Sequence, residues 1–128
     1  MPLVKINVVK GLSRERKTRI SEEIHAALVE SIRIPQTDFN HRIFEFDPAD
    51  WHLSAGKTEK FVLVEVTMFP GRSREAKRRL FKGVTDRLGA LGIAASDVMV
   101  VLEEPPLVNW GLGGVPGDEA DIGFELKV

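Results

Sequence analysis

The chain has 128 residues, of which 43% are hydrophobic, and its 18 Lys and Arg nearly balance its 19 Asp and Glu, so it fits one globular domain with a real core. Its lack of cysteine excludes disulfides, zinc thiolates and cysteine nucleophiles, and its balanced charge gives no overall field to attract nucleic acid. There is no signal-peptide pattern and no apolar run of membrane-spanning length, so we expect a cytoplasmic protein with neither nucleic acid nor a membrane as partner.

The first third of the chain predicts a strand, a helix and a second strand. β-Branched residues alternate with other residues over 3–9, which is typical of a strand. Ser13 is suited to cap the helix that follows, because its hydroxyl can accept from a free amide of the first turn. Apolar residues then recur at helical spacing, Pro35 stops the helix, and a second strand is predicted at about 42–46.

The same order returns in the second half, because the chain contains one unit twice. Residues 11–17 read GLSRERK and residues 71–77 read GRSREAK, and the alignment holds through strand and helix. The second copy predicts a strand over 61–69, a helix over about 74–91 and a strand over 98–102. Two strands joined through a helix form a parallel pair with a right-handed crossover. We therefore predict an α+β fold, in which tandem β-α-β units form a four-stranded mixed sheet with both helices on one face.

The predicted units divide a single domain into four parts. These are a first β-α-β unit at 1–46, a linker at 47–60, a second β-α-β unit at 61–104 and a C-terminal hairpin or strand at 105–128. Trp51 is expected to anchor the linker. Apolar and polar residues alternate over 122–128, and a strand of this kind needs cover from its own sheet or from a neighbouring subunit. We therefore expect a homo-oligomer in which the C-terminal part takes part in assembly.

A candidate catalytic group lies at the start of the chain. Pro2 is small enough for Met1 to be removed, and removal would leave a secondary amine at the start of a strand. Apolar walls or a nearby guanidinium disfavour the charged form of such an amine and bring its pKa toward neutrality. A base of this kind can remove a proton beside a carbonyl, and its protonated form can return one. Met-Pro is also a common way for a chain to begin, and a retained Met1 would turn the amine into an amide.

The chain resembles the tautomerase superfamily over nearly its whole length. The resemblance is carried by Pro2 with its strand, the step at 34–38, the Gly-Arg-Ser turn at 71–73 and the segment at 110–114. That last segment is similar to the aromatic-Gly-Ile-Gly-Gly segment of 4-oxalocrotonate tautomerase. The length and the fused units are more similar to the malonate semialdehyde decarboxylase and cis-3-chloroacrylic acid dehalogenase branches. The resemblance implies duplicated β-α-β units and a catalytic amino-terminal proline.

The resemblance also implies roles for single residues. Pro2 would transfer the proton and Arg72 would bind a substrate carboxylate, because a guanidinium offers a fixed fork of donors. The first copy has Leu12 in place of Arg72, so one copy would keep the amine and the other the arginine. Asp38 falls where the decarboxylase branch has an aspartate thought to position water or substrate. The structural alternatives are a solvated first-turn residue for Arg72 and a turn residue for Asp38, which Asp97 repeats in the second copy.

Apolar residues complete the expected site. Trp110 would supply the apolar wall that lowers the pKa of the amine, although a core tryptophan is the alternative. Phe69 and Leu112 would contact the substrate. The decarboxylase and dehalogenase patterns carry a second arginine shortly before Arg72, and here Phe69 and Pro70 stand in those places. A single guanidinium with an apolar approach favours a monocarboxylate with an apolar tail.

We expect a homotrimeric enzyme that acts on a small carboxylate and needs neither a cofactor nor a metal, since His25, His41 and His52 lack metal-ligand spacing. The first hypothesis is a keto–enol tautomerase of a 2-oxo acid such as a phenylpyruvate-like monocarboxylate, with Pro2 as general base. One alternative is an enzyme resembling malonate semialdehyde decarboxylase or the hydratases and dehalogenases, with a protonated Pro2 and with Asp38. A second alternative is a non-catalytic trimeric binding protein.

Overall fold

The computed structural model describes residues 2–128. The strands and helices, in chain order, are β1 (Pro2–Val9), α1 (Arg14–Ile32), β2 (His41–Phe46), β3 (Val62–Met68), α2 (Arg74–Gly89), β4 (Val98–Glu103), β5 (Gly111–Leu112) and β6 (Val115–Pro116). Three short 3-10 turns lie at Pro48–Asp50, Ala95–Asp97 and Leu107–Asn109. The tandem order predicted from the repeat is confirmed.

The two helices begin in the same way, as the repeated sequence predicts. The Ser13 side chain accepts a hydrogen bond from the Arg16 amide, and the Ser73 side chain accepts one from the Ala76 amide, both at 3.1 Å. Each cap satisfies an amide that the first helical turn leaves free, which stabilises a helix by about 1 kcal/mol. Helix α1 ends at Ile32, before Pro35, because Arg33 adopts the left-handed conformation with a φ of 56°.

The four long strands form a mixed sheet in the order β2-β1-β3-β4. Strand β1 runs parallel to β2 and β3 runs parallel to β4, while β1 and β3 are antiparallel. In this register Pro2 pairs with Met68, and Val4 pairs with both Val66 and His41. The start of β1 therefore lies beside the end of β3 and the start of β2, and this junction positions the candidate site.

The core lies between one face of the sheet and the two helices, which pack on each other. Every second residue of β1 and of β3 is buried against the helices, beginning with Val4 and Val62. The helices contribute the apolar stripes that their spacing predicts, and Ile24, Leu28, Leu80 and Leu88 are each fully buried. The predicted four-stranded sheet with both helices on one face is confirmed.

The linker between the two units is held by aromatic contacts, as predicted. The Trp51 ring packs edge-on against Phe46 at 5.3 Å and against Phe61 at 5.5 Å, measured between ring centroids. Trp51 thus joins the end of β2 to the start of β3. The division of the chain at residues 46, 60 and 104 stays a prediction. Among the helices of residues 2–128, none combines the length and the apolarity needed to cross a membrane.

The C-terminal part contains a tight hairpin and an extended tail. Strands β5 and β6 pair through Gly113 and Gly114, whose φ values of 61° and 89° suit a two-residue turn that favours glycine. Residues 122–128 alternate between half-buried and exposed side chains, as predicted, but they form no strand within the protomer. Instead Phe124 and Val128 pack on the core beside α2. The side chains of the tail alternate as in a strand because every second one packs toward the core. The tail is not a strand, since its backbone pairs with no other strand among residues 2–128 of the protomer.

Candidate functional site

An open cleft of about 380 Å³ lies at the junction of the two units. Three surfaces meet there, namely the loop before β2, the end of β3 and the C-terminal part of the chain. Its lining residues are Pro35, Thr37, Asp38, Phe69, Leu112, Asp121, Ile122, Gly123 and Phe124. Three residues expected from the sequence, Asp38, Phe69 and Leu112, are therefore brought together.

Pro2 lies buried at the first position of β1, beside the cleft rather than in its lining. On one side it pairs with Met68, the residue that precedes Phe69. On the other side the Val4 amide donates to the Asn40 carbonyl oxygen at 3.0 Å, which brings the residues after Asp38 alongside β1. Both cleft walls thus flank the start of β1. The processing of Met1 lies outside the described residues.

Arg72 follows a turn that glycine makes possible. Gly71 has a φ of 126°, which side-chain-bearing residues rarely adopt, and a Cβ there would come within 3.3 Å of the Leu126 Cβ. The turn leads directly to the Ser73 cap and directs the Arg72 side chain inward. Arg72 is only 5% exposed, so the expectation of a solvated first-turn arginine is wrong for this position.

The guanidinium of Arg72 is only partly paired. Its Nη1 donates to the Phe69 carbonyl oxygen at 3.0 Å, but Nε and Nη2 are buried without a hydrogen-bond partner among residues 2–128. The ring of Phe124 lies 5.7 Å from the guanidinium carbon and covers it from the tail. Unpartnered buried donors on a cation cost free energy, so native proteins rarely retain them without a reason. Nε–H and an N–H of Nη2 point from one edge of the guanidinium, the edge that binds a carboxylate through two hydrogen bonds.

Two carboxylates set the local electrostatics of Arg72. Burial lowers the pKa of Arg72 from its usual value, while the negative charges of Glu104 and Asp38 act in the opposite direction. The guanidinium stays protonated in proteins, so the net result is a buried positive charge. Arg72 does not itself line the cleft; it lies behind two residues that do, Phe69 and Phe124. Glu104 is itself bound by the Lys77 ammonium at 2.5 Å.

The two repeated aspartates have different surroundings. Asp38 is half-buried in a turn in which its amide donates to the Pro35 carbonyl oxygen at 3.0 Å, and it lines the cleft. Asp97 is buried and accepts hydrogen bonds from the Thr58 amide at 2.8 Å and the Thr58 hydroxyl at 2.5 Å. These bonds lower the pKa of Asp97. Asp97 therefore ties the linker to the second unit, whereas Asp38 faces the cleft.

The aromatic residues form two layers. Phe69 lines the cleft, and the Trp110 ring packs edge-on behind it with 4.7 Å between centroids. Trp110 is 9% exposed and its Nε1 donates to the Pro105 carbonyl oxygen at 3.1 Å, so it buttresses Phe69 and does not line the cleft. Leu112, on the β5-β6 hairpin, does line it. Of the two residues of this segment that were expected at the substrate, Leu112 lines the cleft and Trp110 lies behind Phe69, so a direct contact of Trp110 with the substrate stays a prediction.

Sequence reasoning missed part of the lining. Thr37 belongs to the step at 34–38 but was given no role, and Asp121 carries no motif. The Asp121 side chain also accepts from the Gly123 amide at 3.0 Å. Ile122 and Phe124 were identifiable only as the apolar half of an alternating tail. The tail reaches the cleft because the Ser73 amide and hydroxyl both donate to the Val128 carbonyl oxygen, at 3.3 and 2.6 Å.

Comparisons with known proteins agree on one family. Two family models described as tautomerase enzyme match residues 2–56 and 38–113. Probable tautomerase YusQ of Bacillus subtilis (strain 168) is 24% identical over 119 residues, which cover 88% of this chain and 94% of the relative.

Three solved structures share the fold over most of their length. FG41 malonate semialdehyde decarboxylase inhibited by 3-bromopropiolate is 32% identical, with a TM-score of 0.79 and coverage of 87% of this chain and 88% of that one. Pt0534 inactivated by 2-oxo-3-pentynoate is 28% identical, with a TM-score of 0.82 and coverage of 91% and 96%. The Q0 fused 4-OT symmetric trimer is 28% identical, with a TM-score of 0.79 and coverage of 91% and 96%.

Proposed function

The chain belongs to the tautomerase family, and from that premise we propose that it is a keto–enol tautomerase of a 2-oxo acid, a phenylpyruvate-like monocarboxylate, with Pro2 as general base. Its relatives and structural neighbours indicate an isomerase-type enzyme, which disfavours the non-catalytic binding protein. The observation that carries the proposal is the unpaired edge of the buried Arg72 guanidinium, which contacts two residues of the cleft lining, Phe69 and Phe124.

Arg72 would hold the substrate carboxylate. Its Nε and Nη2 are the two donors of the guanidinium that residues 2–128 leave without a hydrogen-bond partner, and a carboxylate has two acceptor oxygens at matching separation. Charge-assisted hydrogen bonds of this kind are each worth about 1.5–3 kcal/mol where water is excluded. The same cation would stabilise negative charge that develops on the enolate during the reaction.

Pro2 would move the proton. With Met1 removed, its nitrogen would take the proton from the 2-hydroxyl of the enol and deliver it to C3, which gives the 2-oxo acid, and the reverse reaction uses the same steps. The sheet register supports this role, because Pro2 pairs with Met68, the last residue of the strand that leads through Phe69 to Arg72.

The cleft would select a monocarboxylate with an apolar tail. Phe69, Leu112 and Phe124 offer apolar surface, whereas Asp38 and Asp121 would repel a second carboxylate at the tail. Pt0534, a structural neighbour, is inactivated by a 2-oxo monocarboxylate, 2-oxo-3-pentynoate, which is consistent with this substrate class.

The test combines the amino terminus with a pH profile. Mass spectrometry of the purified protein should show that Met1 is absent, and treatment with an electrophilic 2-oxo acid should label Pro2 alone. Ketonisation of a 2-hydroxy-2-alkenoic acid should then rise with pH as the amine loses its proton. A retained Met1, or activity that falls through the same titration, contradicts the assignment of Pro2 as a base.

A decarboxylase or hydratase is the second candidate, and two observations favour it. The FG41 decarboxylase is 32% identical to this chain. Asp38 lines the cleft, and its negative charge acts to raise the pKa of Arg72. In that reaction a protonated Pro2 would polarise the carbonyl of a 3-oxo acid, and Asp38 would orient water. Its rate would fall as Pro2 deprotonates, so the direction of the pH profile separates the two candidates.

We also propose that the protein assembles as a homotrimer. The sheet face away from the helices carries exposed apolar side chains in the protomer, with Phe44 37%, Met99 46% and Val101 42% exposed, among charged residues such as Lys5 and Glu65. The Q0 fused 4-OT neighbour is a symmetric trimer. Met99→Asp should convert the trimer to a smaller species in sedimentation, whereas Phe81→Asp on the helix side, where Phe81 is 39% exposed, should not. The cytoplasmic location stays a prediction, which cell fractionation would test.

A further inference from the structure

The loop that carries Asp38 has little support of its own. Pro35, Gln36 and Thr37 are exposed, so burial of their side chains does not fix the loop. Yet this loop supplies Pro35, Thr37 and Asp38 to the cleft lining. Something outside the loop must therefore set the shape of this wall.

A buried histidine on α1 contacts the loop on both sides of Asp38. His25 is 5% exposed, and its Nε2 lies 2.9 Å from the Gln36 carbonyl oxygen, to which it donates. Its ring stacks on Phe39 with 4.1 Å between centroids and an interplanar angle of 21°. The hydrogen bond holds the residue two positions before Asp38, and the stack holds the residue after it.

A second histidine supports the far side of this stack. The His41 ring lies 4.6 Å from that of Phe39, and its Nδ1 is 3.0 Å from the Ser21 hydroxyl on α1. Phe39 thus contacts both histidines although it is 46% exposed. An exposed phenylalanine does not hold its position through burial alone, so these ring contacts fix the end of the loop.

The internal repeat shows that His25 is not needed to build the unit. The position sixty residues later is Thr85, which is half-buried and donates its hydroxyl to the Phe81 carbonyl oxygen of its own helix at 2.8 Å. The loop of the second unit is held through Asp97 and Thr58 instead. Only the copy whose loop lines the cleft carries a histidine at this position. An apolar residue would fill the same space without the free-energy cost of burying a polar ring.

We propose that His25 is a positioning residue for the cleft wall formed by Pro35, Thr37 and Asp38. It acts through the Gln36 carbonyl and the Phe39 ring and touches no substrate. The effect on catalysis rests on the proposed function, whereas the effect on the loop does not.

Three variants separate positioning from packing. His25→Leu keeps an apolar volume but removes the donor, and His25→Gln restores a donor of similar reach. Ser31→Ala is the matched control, because Ser31 is also buried on α1 and its hydroxyl donates within the helix to the Ala27 carbonyl oxygen at 2.6 Å.

The first measurement is amide hydrogen exchange in the intact protein. In His25→Leu the Asp38 amide, which donates to the Pro35 carbonyl oxygen within the loop, should exchange at least about tenfold faster relative to the core strands, and His25→Gln should recover most of the protection. Ser31→Ala should leave the loop unchanged relative to the core. Unchanged loop protection in His25→Leu, or an increase spread evenly over the chain, overturns the proposal even if the protein has a different activity.

The second measurement is the kinetics on the 2-oxo acid of the proposed function. In His25→Leu kcat should fall about tenfold with a smaller change in KM, because Arg72 is held by the Phe69 carbonyl oxygen, away from the contacts of His25, and would still hold the carboxylate. His25→Gln should recover kcat, and Ser31→Ala should match the parent. Loop exchange that rises while kcat stays unchanged would overturn the catalytic part of the proposal and leave its structural part standing.

Discussion

Arg72 and Leu12 occupy the same position in the two copies of the unit, sixty residues apart, and only Arg72 is paired to the strand end before it, through the Phe69 carbonyl oxygen at 3.0 Å. Leu12 instead packs against the core. A leucine at this place satisfies the fold, so the buried guanidinium of the second copy is retained for something other than stability.

Replacing Arg72 should therefore affect activity much more than folding. Arg72→Ala is expected to raise KM for a 2-oxo monocarboxylate at least about 100-fold, because two charge-assisted hydrogen bonds of about 1.5–3 kcal/mol each are lost. The midpoint of urea unfolding should change little, because the lost packing is offset by removal of a partly unpaired buried charge. Arg74→Ala, an exposed arginine two positions later, is the control and should leave both quantities unchanged. Parallel losses of stability and activity in Arg72→Ala would support a structural role.

His41 should make the fold sensitive to mild acid. Burial, with a smaller contribution from the charge of His25, lowers the pKa of His41 from 6.5 to about 4. Between these values the unfolded chain binds a proton that the folded chain does not, so stability falls as pH drops from about 6.5 toward 4. The free energy of unfolding should be about 2 kcal/mol lower at pH 4.5 than at pH 7.

His41→Gln should remove most of that slope in urea unfolding curves measured between pH 7 and pH 4.5. His52→Gln should keep it, because His52 is exposed. A slope that persists in His41→Gln would assign the titration to another group.

Asp97 should make the stability of the fold depend on pH in a second, more acidic range. Its hydrogen bonds from Thr58 lower its pKa in the folded state, so the stabilisation is fully present above the unfolded pKa of 3.8 and is lost as pH falls through the folded value. Thr58→Ala should cost about 1 kcal/mol at pH 7, and the cost should shrink as pH falls below 3.8 and the carboxyl becomes protonated in the folded state as well. Thr85→Ala, which removes a hydroxyl bonded within α2, should not show this convergence.

Gly117 should be intolerant of a side chain. A Cβ there would meet the Leu107 carbonyl oxygen at 2.6 Å and the Trp110 Cβ at 3.2 Å, and the Gly117 amide donates to the Trp110 carbonyl oxygen at 2.8 Å. Gly117→Ala should therefore displace the hairpin, destabilise the protein by about 1–3 kcal/mol and shift Trp110 fluorescence.

The matched change at Gly89 should be harmless. Gly89 closes α2 and a Cβ there meets nothing within 4 Å, so Gly89→Ala should be neutral or stabilise the protein by up to about 1 kcal/mol. Equal melting temperatures for the two alanine variants would show that the hairpin adapts to the extra atom.

Much of the fold could be predicted because it is encoded by local spacing. Ser13 and Ser73 cap their helices through bonds to amides three residues away, and alternation over a few residues identifies β1 and β3. The predicted helix over 74–91 ends two residues early, at Gly89, because the last turn tightens around Ala90.

The site could be predicted only in part. The repeat singled out Arg72 by its difference from Leu12, but it treated Asp38 and Asp97 as equals. Their surroundings differ in the folded chain. Asp97 is bound by Thr58, which is far away in sequence, whereas Asp38 lines the cleft. Trp110 and Leu112 were both expected at the cleft, and only Leu112 is among its lining residues.

By itself the sequence determined the repeated unit, the order of strands and helices and the amphipathic faces, since these depend on contacts within a few residues of one another. Tertiary structure decided which buried polar atoms are paired: Nε and Nη2 of Arg72 and Nδ1 of His25 find no partner among residues 2–128, while the Asp97 carboxylate is bound by Thr58 of the linker. The physical reason is that hydrogen-bond satisfaction in a buried place depends on every segment that packs there, and no local pattern records which of them arrives.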